Sequence, residues 1–174
     1  MIKNTGVRYG LLGAVVLVLF YFLMYTIRRE LFLDNVVQWA PMLVYLLFMY
    51  RAAKEDCAAN GTQRDFREIM RTPFVVFILM NLGYWLFYYG LHLADTELVR
   101  LELLAEKQLY QNQLLGGTGD PQQANQLRER ILEVDHALEK PMQPLGPVIT
   151  RMAMGALGGF GLAAGIVALL RSSD

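Results

Sequence analysis

Four long apolar blocks constrain this chain more than any other feature: Val7 to Ile27, Leu33 to Tyr50, Phe74 to Leu93 and Val148 to Leu170. A helix needs roughly 20 mainly apolar residues to cross a hydrocarbon layer roughly 30 Å thick. Three of the blocks reach that length and the second approaches it. Charge is confined to their margins, with Arg8 and Asp34 at the edges of the first two, none in the third and Arg151 near the start of the fourth. The expected fold class is an all-α membrane protein with four transmembrane helices. The spans cover about 7–27, 33–50, 74–93 and 148–170 of a single membrane domain, 1–174, interrupted by a polar insertion at 94–147.

The first block reads as a retained anchor. Its apolar run is too long for a signal-peptide core, and "YTIRREL" at its end offers no small-residue cleavage site. Basic residues then set the orientation. With the N-terminus inside, Lys3, Arg8, Arg51, Lys54, Arg64, Arg67, Arg71 and Arg171 fall on the inner side, and eight others fall outside. Basic residues far from span ends count little, and Lys107, Arg128 and Arg130 lie mid-insertion, so N-in/C-in is favoured. The aromatic runs "FYFLMY" (20–25) and "YWLFYY" (84–89), with Trp39, then lie at the outer headgroup level, and Tyr9 and Tyr50 mark the inner one.

Between the spans, residues 28–32 read as a short turn and 51–72 as a polar loop carrying Cys57. Within that loop "RDFREIMRT" (64–72) has the pattern of a short basic amphipathic helix lying in the headgroup layer. The insertion at 94–147 reads as an extracytoplasmic helical hairpin. Its first helix carries a stripe at Leu98, Leu101, Ala105 and Leu109. "GGTGDP" breaks it, and Asp120, Pro121 and Gln123 start the second helix as N-cap, first position and capping-box partner. The second stripe, Ala124, Leu127, Ile131, Val134 and Leu138, has heptad spacing, which makes Leu127, Ile131 and Val134 the expected hairpin contact. With nine Asp/Glu against five Lys/Arg the insertion is acidic, most simply a solvated face.

The fourth span contains "GALGGFGLAAG", five glycines in eleven residues. Between helices in lipid, contact depends on close backbone approach, which small residues permit. Gly155, Gly158, Gly159, Gly161 and Gly165 are therefore the expected helix-packing residues, either within one chain or between chains. Asn81, mid-way along span three, is the intramembrane polar residue of most interest, as interhelical glue or as part of a path. Gln38 and His92 lie near the outer interface, where water reaches them.

Reactive patterns are not apparent. The two histidines, His92 and His136, stand apart, the one cysteine has no second to pair with, and there is no phosphate-loop or nucleophile-elbow motif. No catalytic, metal or cofactor-binding residues are assigned. Zero net charge gives no basic footprint for nucleic acid.

The order of an N-terminal span, a second span, "QRDFREIMRTPFVVFIL", "LADTELVRLELLAEKQ", "LEKPMQPL" and a glycine-rich last span resembles small four-span bacterial membrane proteins. These are grouped as domain-of-unknown-function family 4199, common in Bacteroidota. The resemblance implies an inner-membrane location in a Gram-negative envelope, with the insertion in the periplasm; it brings no activity and no functional residues. The expectation is a non-catalytic protein, a structural or accessory subunit or organiser whose partners are the lipid bilayer and other membrane subunits or further copies of itself. The alternative is a small channel or transporter with a path near Asn81.

Overall fold

The computed structural model describes residues 4–61, 64–117, 121–142 and 144–172, with only the backbone given at 33 and 35. No strand occurs among the described residues. The helices are α1 (Thr5–Ile27), a 3-10 turn (Arg29–Leu33), α2 (Asn35–Trp39), α3 (Pro41–Asn60), α4 (Phe66–Ala94), α5 (Thr96–Leu115), α6 (Pro121–Glu139) and α7 (Leu145–Ser172). Four segments, Thr5–Ile27, Val36–Asn60, Phe66–Ala94 and Leu145–Ser172, are long and apolar enough to cross a membrane. The chain forms two compact units, Met1–Tyr88 with Leu145–Asp174, and Tyr89–Pro144.

In the first unit, local chemistry explains where the helices begin and end. The Asn4 side chain accepts from the Val7 N–H at 3.3 Å and caps α1, and Asp34 accepts from the Val36 N–H at 2.7 Å and caps α2. Pro41 opens α3 at a position where its missing N–H is harmless. Gly61 ends that helix with φ 84°, a left-handed conformation suited to glycine, and its N–H donates to the Cys57 carbonyl at 2.8 Å.

The core of this unit draws on all four long helices. Leu17 of α1, Met49, Ala52 and Ala53 of α3, Val76, Phe77 and Met80 of α4, and Ala163 and Ile166 of α7 form one cluster. Outward-facing residues are equally apolar: Leu12, Leu19, Leu43, Leu86, Leu157 and Leu169 are each more than half exposed. Such a surface suits acyl chains as solvent and would be a liability in water.

Several element boundaries differ from the sequence expectation. The supposed loop from 51 is largely helix, because α3 continues past Tyr50 to Asn60 as an amphipathic extension. It buries Ala52, Ala53, Asp56 and Cys57 while Arg51 and Lys54 stay exposed. Cys57 is therefore a buried helix residue and not a loop residue. The segment 64–72 is not a separate surface helix: from Phe66 onward it is the first part of α4. Ile69 turns inward against Cys57 and Val167, and α4 runs through the buried Pro73. Proline is tolerated in a membrane helix where the surroundings support the turn.

The expected turn at 28–32 is instead a 3-10 turn leading into α2, and it carries Phe32 into the bundle. There Phe32 meets Tyr21 at 5.4 Å and Tyr88 at 6.2 Å between ring centres, and Tyr21 lies 4.8 Å from Tyr84. Part of the expected aromatic belt is thus a buried ring cluster, while Trp39 is 71% exposed.

In the second unit α5 and α6 lie against each other. Asp95 caps α5 by accepting from the Glu97 N–H at 3.1 Å. Along the α6 stripe, Leu127 and Val134 are buried and Ala124, Ile131 and Leu138 half-buried. The α5 stripe holds at the buried Leu98 and half-buried Leu101 and is corrected beyond them. Ala105 and Leu109 are exposed, and Leu103, Lys107, Tyr110 and Leu114 are half-buried. Lys107 ion-pairs with Asp135 of α6, so a long amphipathic side chain occupies a position that an apolar-only reading skips. Asp120, the expected N-cap, lies outside the described residues.

Candidate functional site

Residue by residue, the glycines of α7 fall into two groups. A Cβ built on Gly159 would stand 2.1 Å from Cδ1 of Phe77, so the α4 ring lies directly on the α7 backbone. A Cβ on Gly155 would stand 3.4 Å from Oδ1 of Asn81. One turn from Gly155, the Asn81 Nδ2 donates to the Met152 carbonyl at 3.1 Å, and Asn81 is only 6% exposed. In hydrocarbon an amide needs such a partner, and this one ties α4 to α7. Gly158, Gly161 and Gly165 are exposed, and nothing lies within 4 Å of a Cβ built on any of them. Ala168 continues that outer face.

A second seam escaped sequence reasoning. Gly6, Gly10 and Gly13 of α1 all face α4: added Cβ atoms would meet the Thr72 carbonyl at 3.0 Å, Leu79 Cδ1 at 2.8 Å and Met80 Sδ at 2.5 Å. In return, Gly83 of α4 meets the Ala14 side chain. The signal was present in "TGVRYGLLGA", where Gly6 and Gly10 stand four apart and Gly13 follows.

The end of this unit that holds residues 51–71 is organised by ion pairs. Arg8 donates to both Glu55 oxygens at 2.7 Å, and the Tyr9 hydroxyl donates to the same carboxylate at 2.8 Å. The buried Asp56 accepts from Arg64 at 2.7 Å and from Asn60 at 3.0 Å. The hydrogen bond to Asp56 holds the Arg64 guanidinium above its ordinary pKa. Arg171, at the end of α7, donates to the Arg64 backbone carbonyl and lies over the Phe66 ring.

In the second unit His92 is 1% exposed and its Nε2 stands 2.9 Å from Glu102. It is held inside the protein, not in interfacial water as its sequence position suggests. Position relative to an apolar run locates a residue along the membrane normal but not around the helix. Gln38 is exposed and donates to the Phe32 carbonyl at 3.4 Å. His136 is exposed, 3.5 Å from Glu139. The Tyr110 phenol donates to Glu106 at 2.6 Å, and that bond raises its pKa above the ordinary value. Among the described residues, no group of three or more His, Cys, Asp or Glu is placed to hold a metal ion.

These features define a multi-pass helical membrane protein in which close glycine contacts and the buried Asn81 amide join a shared apolar core in holding the helices together. No family model, curated protein or solved structure matches the chain.

Proposed function

We propose that this protein is a non-catalytic accessory or organising subunit of a bacterial inner-membrane assembly, the inner-membrane location being what its resemblance to family 4199 implies. Its termini lie inside and the helical hairpin at 94–147 lies in the periplasm. The observation that carries the reading is the outer face of α7. Gly158, Gly161 and Gly165 leave a flat backbone strip that none of the described residues covers, while Gly155 and Gly159 already serve the packing on α4. Small-residue strips of this kind allow a second helix to approach closely in lipid.

A channel has weaker support, since the Asn81 amide is engaged by the Met152 carbonyl. The test is extraction of the full chain in mild detergent, followed by native-gel migration and an inventory of what stays bound. Gly161→Leu with Gly165→Leu should remove a co-migrating partner or further copy while the protein still inserts and unfolds as before. Unchanged migration and composition would sink the assembly reading. Ion flux in liposomes that disappears with Asn81→Leu would replace it with a channel.

A further inference from the structure

We propose that the cleft between α1 and α3 beside Arg51 binds one anionic phospholipid. Tyr9, Leu47, Phe48 and Arg51 line a cavity of about 200 Å³. This is smaller than the roughly 300–1,000 Å³ of sites that enclose a drug-sized molecule. It suits a stretch of one acyl chain whose remainder stays in the bilayer.

The walls are set in place. Tyr9 packs edge-on to Phe48 with ring centres 6.3 Å apart, and its hydroxyl is anchored on Glu55. On the outward side of α3, exposed residues recur at helical spacing from Leu43 and Leu47 through Tyr50 to Arg51 and Lys54. That strip passes from apolar through aromatic to cationic along one face, in the same sequence as a lipid passes from chain to headgroup.

Charge selects the headgroup. Arg51 and Lys54 have no ion pair or hydrogen bond among the described residues. The two carboxylates on the same stretch of α3 are engaged: Glu55 holds Arg8 and Tyr9, and Asp56 holds Arg64 and Asn60. Two free cations with no unengaged carboxylate on the same stretch of α3 favour a phosphate carrying net negative charge over a zwitterion, whose ammonium would have to compete with Arg8 for Glu55. The apolar walls at Leu47 and Phe48 favour a lipid over a soluble anion. Basic pockets at the ends of membrane helices act in this way on anionic headgroups.

The experiment is native mass spectrometry of the detergent-purified full chain titrated with dioleoyl phosphatidylglycerol, dioleoyl phosphatidylcholine or inorganic phosphate. The wild type should bind phosphatidylglycerol at least tenfold more tightly than phosphatidylcholine. Arg51→Gln with Lys54→Gln should weaken phosphatidylglycerol binding about thirtyfold, from the usual contribution of each basic side chain near a headgroup. Arg67→Gln with Arg71→Gln, which removes the same charge away from the cavity, should change it less than twofold. Leu47→Trp, which fills the cleft and keeps both cations, should also weaken binding; it decides the matter if the double charge variant does not fold. Equal affinity for the two lipids would overturn the proposal. So would displacement of the lipid by millimolar phosphate, or equal losses from the two double charge variants.

Discussion

In α1 all three inward glycines, Gly6, Gly10 and Gly13, turn toward α4, whereas in α7 Gly155 and Gly159 do so while Gly158, Gly161 and Gly165 face away. Both helices read alike as glycine-rich spans. The difference is rotational phase. Because neighbouring residues on a helix are about 100° apart, Gly158 and Gly159 belong to different faces although they adjoin in sequence. A four-residue glycine spacing therefore states that some backbone is approached closely without stating whose. In α1 the approach is made wholly inside the chain; α7 provides one such face inside and has a second that none of the described residues covers.

The largest effect that would break this comparison is expected at Gly13. Its added Cβ would stand 2.5 Å from Met80 Sδ, and Met80 is fully buried. Gly13→Leu should therefore destabilise the chain by at least the roughly 1–3 kcal/mol of an overpacked core, read as a lowered unfolding midpoint in detergent. Gly161→Leu in the same assay should leave the midpoint in place. Equal midpoints for the two variants would erase the distinction between the faces.

Asn81→Leu sharpens the inner face of α7, since it deletes the bond to Met152 and keeps the apolar bulk. The expected loss is about 0.6 kcal/mol and no more than about 1.7 kcal/mol, the range for hydrogen bonds between membrane helices. A loss well beyond that would mean the amide holds more than one carbonyl. The smallest effect compares two alanines. Gly158→Ala meets open space and should stabilise by about 0.4–1 kcal/mol through a less flexible unfolded chain. Gly10→Ala, whose Cβ would stand 2.8 Å from Leu79 Cδ1, should shift the midpoint the other way. Shifts of the same sign would show that local helix propensity outweighs the packing.

The four spans were legible because an apolar run of bilayer length is hard to bury in a chain this short except in lipid. Their ends were less so. Hydropathy falls at Arg51 and at Arg71, yet α3 runs on to Asn60 and α4 begins at Phe66. In both places the helix becomes amphipathic and keeps burying one face, so polarity marks the headgroup level and not the end of the helix. His92 was misplaced for a related reason: its partner Glu102 lies beyond a helix break at Asp95, and no periodicity connects the two. Beyond Leu101 the α5 register was missed because Lys107 and Tyr110 contribute apolar bodies that a count of apolar residue types omits.

The Phe77–Gly159 contact also bears on the order of events during synthesis. α1, α3 and α4 leave the ribosome first, and the polar stretch containing α5 and α6 separates them from α7. At ordinary elongation rates that stretch takes on the order of several seconds. Before α7 is made, the Phe77 ring has Tyr45 of α3 5.0 Å from it but lacks the Gly159 backbone, and the Asn81 amide lacks the Met152 carbonyl. The last helix closes this gap with a glycine, so it docks against a finished ring without a side chain of its own to rearrange. Until then the amide is a polar group in hydrocarbon without its carbonyl, and docking of the last helix removes that cost.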